Sequence, residues 1–332
     1  MKSRLTEIAG QRAVSAISSL LLAAIAACLL QSGFARAQTS APLVPDWQTA
    51  AGGHMEFEVA SIHLGEPGKF VPPSFGLNID DERIPPGGHF KAGFTLPVYI
   101  SFAYKLIFTP EQSDAMLAHL PEWVRSQAFV IEAESPAPNP TKDQMRLMMQ
   151  SLLADRFKLA VHFETKEVPV LAMVLAKPGM TGPRLRPHEK GLACDAKWTA
   201  PADPTASIVP PAGWLPRCGG VAARPGPGNT ILLGARNIPM EHIALYLTTI
   251  YKFGRPVIDE TGLKGTYDFS LGWAPDSNTA IRMRSGDANG SSEVDGPSLF
   301  DALKDQLGLK LKPTKAAIQT LVIDHVEQPS AN

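Results

Sequence analysis

Cysteine is scarce in this chain, with three among 332 residues. No paired CxxC is present, and HExxH, GxSxG and a phosphate-cradling glycine loop are also missing, which argues against the common hydrolase and nucleotide-binding classes. Charge is sparse too: 19% charged against 44% hydrophobic is the balance of a packed globular protein, not a disordered one. Basic excess is lacking. The formal net charge is −1, and without residues 1–37 the chain holds 27 basic and 31 acidic residues. That leaves neither an electrostatic footprint for nucleic acid nor a polybasic patch for anionic lipid. Beyond residue 30 no apolar run approaches transmembrane length.

What is present begins with an export signal. Lys2, Arg4 and Arg12 form a basic region, Ala13 to Leu30 is apolar, and Ala35-Arg36-Ala37 is a small-x-small cleavage site. A retained anchor is the first alternative, and lipidation at Cys28, within Ile25-Ala26-Ala27-Cys28, is the second. The cleavage site favours removal, and Leu29 and Leu30 carry the apolar run past Cys28. The expectation is a periplasmic or secreted protein. Removal of residues 1–37 leaves Cys194 and Cys218, an even count that in an exported chain points to a disulfide. Closing a loop of about 25 residues stabilises by roughly 3 kcal/mol in the chain-entropy treatment. A catalytic thiol is disfavoured, because no histidine context singles out either sulfur.

Along the chain, residues 65–88 and 274–296 read as loops and 178–228 as a Pro/Gly-rich linker carrying both mature cysteines. The stretches on either side, 55–177 and 229–327, look alike. Thr95-Leu96-Pro97 and Asn237-Ile238-Pro239 each read as a capping residue with an early proline opening a helix, and a tyrosine follows seven residues after each proline, Tyr104 and Tyr246. Alternating strands come next at Phe129–Ala133 and Tyr267–Leu271. Second helices follow. Thr141-Lys142-Asp143-Gln144 is a capping box before Met145, Met148, Met149, Leu152 and Leu153 at helical spacing, and Ser298 opens a helix whose Phe300, Leu303 and Leu307 share a face. Asp155–Leu159 parallels Asp305–Leu309, and Thr165-Lys166 parallels Thr314-Lys315. Val168–Leu175 and Ala317–Ile323 read as strands closing hairpins. The fold class is α+β, two duplicated β-α-β-α-β-β units that pack together or share a sheet.

The stretches FEVASIH (57–63), 145–177, RPVIDETGLKGTYDFSLGW (255–273) and 296–330 resemble a soil-associated family of exported proteins carrying a domain of unknown function. The resemblance covers almost all of the mature chain and implies export and an uncharacterised role. In some relatives a similar domain is joined to membrane peptidases of the β-lactam-sensor type. The second half also looks like the short N-terminal domains of secretins and TonB-dependent receptors, which bind and signal.

Candidate chemistry is thin. His162 and Glu164 lie two apart on a strand, as a metal pair can, yet only two ligands are visible and a solvated strand face, with Lys166 in the same row, accounts for them better. His325 beside Asp324 carries no stronger signal. Asp287, Asn289, Glu293 and Asp295 around Gly290 offer calcium ligands at spacings that do not match an EF-hand, so a polar insertion is the expectation. Asp259 and Asp268 bracket a glycine turn and are the acid/base candidates of a hydrolase. The competing reading has Asp259 closing the turn and Asp268 on the outward face of its strand. Trp123, Trp198, Trp214 and Trp273 fall near loops or strand ends, where aromatics either stack on ligands or pack at the core rim. No cofactor or metal is implied. The expected role is a non-enzymatic binding or interaction module for a protein or envelope ligand, with an exposed sheet edge as one means of pairing a partner strand; the alternative is an extracytoplasmic hydrolase of unrecognised type.

Overall fold

The computed structural model describes residues 45–81, 84–190, 194, 218–226, 230–276 and 296–329. The leader, Cys28, the calcium-loop candidates, Trp198 and Trp214 lie outside the described residues. Val44–Asn332 forms one compact unit. Helices and sheets are mixed, and the fold is α+β.

The first half is built on a three-stranded antiparallel sheet. Strands β1 (Val59–Leu64), β2 (His89–Thr95) and β3 (Ala128–Glu134) lie in the order β1-β3-β2. β3 alternates as a half-buried strand should: Phe129, Ile131 and Ala133 enter the core, while Glu132 and Glu134 meet Lys91 and His89 across the outer face. A short helix α1 (Asp46–Ala51) precedes the sheet; α2 (Leu96–Ala103), α3 (Pro110–Leu117) and α4 (Trp123–Ser126) connect β2 to β3; and α5 (Lys142–Arg156) follows. Thr141 and Gln144 cap α5 reciprocally, and Met145, Met148, Met149, Leu152 and Leu153 are its buried stripe, as the periodicity predicts.

The second half has a four-stranded antiparallel sheet, β5-β9-β7-β6, made of β5 (Leu185–Pro187), β6 (Gly220–Pro225), β7 (Ile231–Pro239) and β9 (Thr266–Trp273). β5 and β6 come from the stretch read as a linker. Helix α6 (Met240–Ile250) starts after Pro239, so Asn237 is not its cap. Asn237 sits instead at a register shift of β7 with φ 55°. Ser298 does cap α7 (Leu299–Ala302), but the chain then widens into a π-helical turn over Leu303–Leu307. That turn changes the phase of the buried stripe to Leu299, Ala302, Leu303 and Leu307 and leaves Phe300 49% exposed, outside the face assigned to it from spacing.

The closing hairpins are not formed. β4 (Ala160–Leu175) and β10 (Leu309–His325) each run unbroken and pair antiparallel along their length, with β8 (Val257–Asp259) adding in parallel at one end of β4. The segments Thr165–Val168 and Thr314–Ala317 contain no glycine or asparagine to reverse the chain, so extension wins. Each long strand starts in its own half and ends in the other. Leu321 of β10 is buried in the core that holds Phe90, Tyr99, Ile131 and Phe157, and Met173 of β4 is buried in the core that holds Phe269, Trp273, Leu247 and Leu307.

Truncating either exchanged side chain empties the opposite core. Leu321→Ala and Met173→Ala should each lower stability by about 2–5 kcal/mol in urea titration. Native-state hydrogen exchange in Leu321→Ala should accelerate first in β3 and α5; acceleration confined to the second half would contradict the exchange of strands.

Candidate functional site

Two polar constellations stand out, and both join residues distant in sequence. The first surrounds the disulfide. β9 is central in its sheet and buried on both faces, so Asp268, expected on an outward face, is only 6% exposed. β5 pairs Arg186 with Asp268 and Pro187 with Tyr267, which delivers His188, the next residue, beside that carboxylate. Nδ1 of His188 lies 2.7 Å from Asp268 Oδ1, which also accepts the Asn237 backbone N–H at 2.9 Å. With Asp268 acting as the acceptor, the ring proton is assigned to Nδ1, which leaves Nε2 as the nitrogen facing the sulfurs. Nε2 is 3.3 Å from Cys194 Sγ and 3.9 Å from Cys218 Sγ. The Asn237 side-chain N–H₂ donates to Cys194 Sγ at 3.5 Å, and its carbonyl accepts from the Thr266 hydroxyl at 2.7 Å.

Cys194 and Cys218 are joined in a disulfide, with Cα atoms 5.4 Å apart. The expectation that neither sulfur has a histidine context is overturned: His188, six residues before Cys194, faces both. Spacing alone did not single it out, because the partner that orients it, Asp268, is 80 residues away. Among the described residues this His–Cys–Cys group is the one cluster with metal-ligand proximity, and with the sulfurs bonded to each other neither is the thiolate a metal needs.

The other sequence candidates resolve individually. Asp259 ends β8 and accepts the Thr261 N–H at 2.9 Å, while Thr261 Oγ1 accepts from Leu263 N–H and Gly262 and Gly265 take positive φ. It closes a turn. Asp259 and Asp268 lie on different sheets, each with hydrogen-bond partners of its own. His162 is held between Asp324 at 2.9 Å and Glu164 at 3.4 Å, and Lys166 meets Glu164 at 2.6 Å, in a half-exposed row along the β4–β10 ribbon. The hydrogen bonds to Asp324 and then Glu164 hold its imidazolium above the usual histidine range. His325 pairs with Glu327, Trp123 packs edge-on to Phe129, and Trp273 is fully buried.

The second constellation was not anticipated. Arg146, fully buried on α5, donates to Asp143 and Asp81 and to the carbonyls of Asn78 and Asp80. Lys105 Nζ sits 2.7 Å from Asp81 and 3.3 Å from Asp143. Lys142 bonds Asn78, whose amide donates to Asp80. Asp80 then reaches across to the second half, accepting from the Tyr246 hydroxyl at 2.7 Å and the Val221 N–H at 3.0 Å. Three cations meet three carboxylates, so the charges of the cluster balance, with Asp81 half-exposed at its edge. Burial pushes the Asp81 carboxyl up, but Lys105 and Arg146 outweigh it and hold it below its ordinary value. His242 on α6 is the neutral neighbour: burial, reinforced by the Lys105 charge, drives its imidazole down to about 4. A sequence signal existed in Arg146, a charged residue inside the apolar stripe of α5, and in the adjacent acids Asp80 and Asp81; their pairing was not legible.

A family model described as "Protein of unknown function (DUF3738)" matches residues 98–326. The chain belongs to this family. The matched span holds the long strands, most of both cores and every member of the disulfide centre, so the family unit embraces the two halves together. No curated protein matches the chain, and no solved structure does.

Two outcomes follow for the buried network. Arg146→Ala takes one of the two cations from Asp81 and Asp143, leaves the carbonyls of Asn78 and Asp80 without that donor, and should lower stability by about 3–5 kcal/mol in urea titration. A loss below 1 kcal/mol would mean that the network contributes little. For His242 the folded-state pKa lies below the unfolded value, so the unfolded chain binds the extra proton. Its contribution is fully present above about pH 6.5 and should be lost as pH falls toward 4, by on the order of 3 kcal/mol. His242→Leu should flatten that part of the stability–pH curve; an unchanged slope would assign it to other groups.

Proposed function

We propose that the protein is exported to an oxidising space, periplasmic or extracellular, and serves there as a non-enzymatic binding or interaction module for a protein or envelope ligand. The observation that supports this reading is that Asp259 and Asp268 are each engaged in separate structural hydrogen bonds. The two carboxylates offered as an acid/base pair of the glycosidase kind are on different sheets, one closing a turn and the other holding His188. Export is supported by the leader-like first 37 residues and by the disulfide between the two remaining cysteines.

An aromatic ledge supports the binding role. Tyr251 and Phe253 stack with centroids 4.5 Å apart, and half-exposed Phe300 lies edge-on at 5.9 and 6.0 Å from them. Tyr251 is buried and backs the ledge, so Phe300, with half-buried Phe253, is the ring that adds contact area to an interface with little loss of side-chain freedom. We also read the two halves as copies of one unit. In support, β2-α2-β3-α5-β4 and β7-α6-β9-α7-β10 follow the same order, and Lys158 and Gly308, at corresponding positions after the second helix, both take left-handed φ, 50° and 70°.

The test is capture from native envelope extract by the immobilised protein beginning at Gln38. Recovery of a discrete partner that falls about tenfold in Phe300→Asp, with an unchanged melting temperature, is the expected result. Purified monomer that hydrolyses an envelope substrate and loses turnover in Asp268→Asn would replace this reading with the hydrolase.

A further inference from the structure

A disulfide that only staples a loop needs no polar machinery aimed at its sulfurs. Here three departures from an easy fold converge on one bond. Asp268 is buried with Oδ2 accepting no hydrogen bond among the described residues, a desolvation cost in a site that an apolar residue could fill. Asn237 holds a left-handed backbone, which delivers its N–H to Asp268 and its side-chain amide to Cys194. His188, 15% exposed, turns Nε2 toward both sulfurs, nearer to Cys194. Cys194 is exposed and Cys218 half-buried, so one sulfur is open to an incoming reactant and the other is held back. Nucleophile, base and carboxylate stand in the order Cys194–His188–Asp268, the arrangement that activates a thiol.

We propose that Cys194–Cys218 is a reactive disulfide that exchanges with substrate dithiols, with Cys194 as the exchanging sulfur and His188 as its proton partner. Asp268 and Asn237 act as positioning residues, Asp268 through the imidazole and Asn237 through its donor to sulfur. In the first step a substrate thiolate attacks Cys194 Sγ. The Cys194–Cys218 bond breaks, its electron pair leaves on Cys218 Sγ, and that sulfur takes up a proton. In the second step the other substrate thiolate attacks the substrate sulfur of the mixed disulfide. Cys194 departs as a thiolate, with His188 as imidazolium beside it and the Asn237 amide donating to it. Two electrons pass from the substrate, which gains a disulfide, to the protein, which becomes a dithiol; the substrate's two protons end on Cys218 and His188. In reverse, the Cys194 thiolate reduces a substrate disulfide. This inference goes beyond the binding reading: it keeps the interaction role and replaces its non-enzymatic part with an oxidoreductase centre.

The test uses the disulfide-bonded protein beginning at Gln38, reduced under native conditions with dithiothreitol and alkylated with iodoacetamide from pH 4 to 10, with mass spectrometry separating Cys194 from Cys218. Cys194 should react at pH 6 at least about tenfold faster than glutathione, with a pH profile whose midpoint lies below the ~8.5 of an ordinary thiol. His188→Gln and Asp268→Asn should each move that midpoint toward 8.5 and slow the pH 6 rate about tenfold, leaving Cys218 unchanged. A Cys194 profile matching glutathione in the unsubstituted protein overturns the proposal, as does a disulfide that dithiothreitol cannot open without unfolding. If a variant fails to fold, the comparison of Cys194 with Cys218 in the unsubstituted protein decides alone.

Discussion

The pairing of β4 with β10 is the constraint on which the rest of the structure depends. Sixteen and seventeen residues long, these strands are the only described elements that contribute to both hydrophobic cores. Backbone hydrogen bonds along the ribbon and apolar side chains at its two ends reinforce each other. Removing either strand opens both cores, so neither half has a complete interior alone. The middle of the ribbon is largely exposed, and its edges are guarded by proline. The bond from Ala176 N–H to Gly308 O marks the hydrogen-bonded pairs, which puts Pro169 and Pro313 in the intervening positions with their nitrogens turned outward. Proline is tolerated in a strand at such places, and there it withholds a donor from any strand approaching the edge.

The Arg146 network acts on the same problem from the opposite side. Residues 78–81 run through a segment of irregular backbone, yet Ile79 and Asp80 are almost fully buried. The backbone carbonyls of Asn78 and Asp80 are satisfied by Arg146, and the Asp80 carboxylate by Tyr246 and the backbone of β6. A loop thereby becomes a bridge between α5 of one half and α6 of the other. Balanced buried charge of this kind adds less to stability than its contact list suggests, but it discriminates strongly among ways of docking two apolar surfaces. The depressed proton affinity of His242 is a by-product of sitting beside Lys105 in that environment.

The disulfide centre shows how a site can be half legible. Cysteine counting found both partners, and strand alternation placed Asp268 beside core residues Tyr267 and Phe269. The error lay in assigning it to an outward face. A strand at the sheet's edge or with one side in water exposes its alternate residues; β9, between β5 and β7 and covered on both faces, does not. Similarly, helical spacing placed Phe300 with Leu303 and Leu307, and one wide turn rotated it out. In both cases the local period was read correctly and its phase against the surroundings was not available.

Local patterns therefore determined the α+β class, the capped helix α5 with its buried methionines and leucines, the strands β3 and β9, and the pairing of two cysteines by elimination. These are decided within a few residues by side-chain direction, capping chemistry and period. Tertiary structure alone decided that β4 and β10 run through into opposite cores, that Arg146 meets Asp81 65 residues away, and that His188 meets Asp268. The physical reason is that periodicity names a face to be covered but not what covers it. Partner choice across a long loop depends on which apolar surfaces dock and which buried charges find counter-charges, and neither is written in any one stretch of chain.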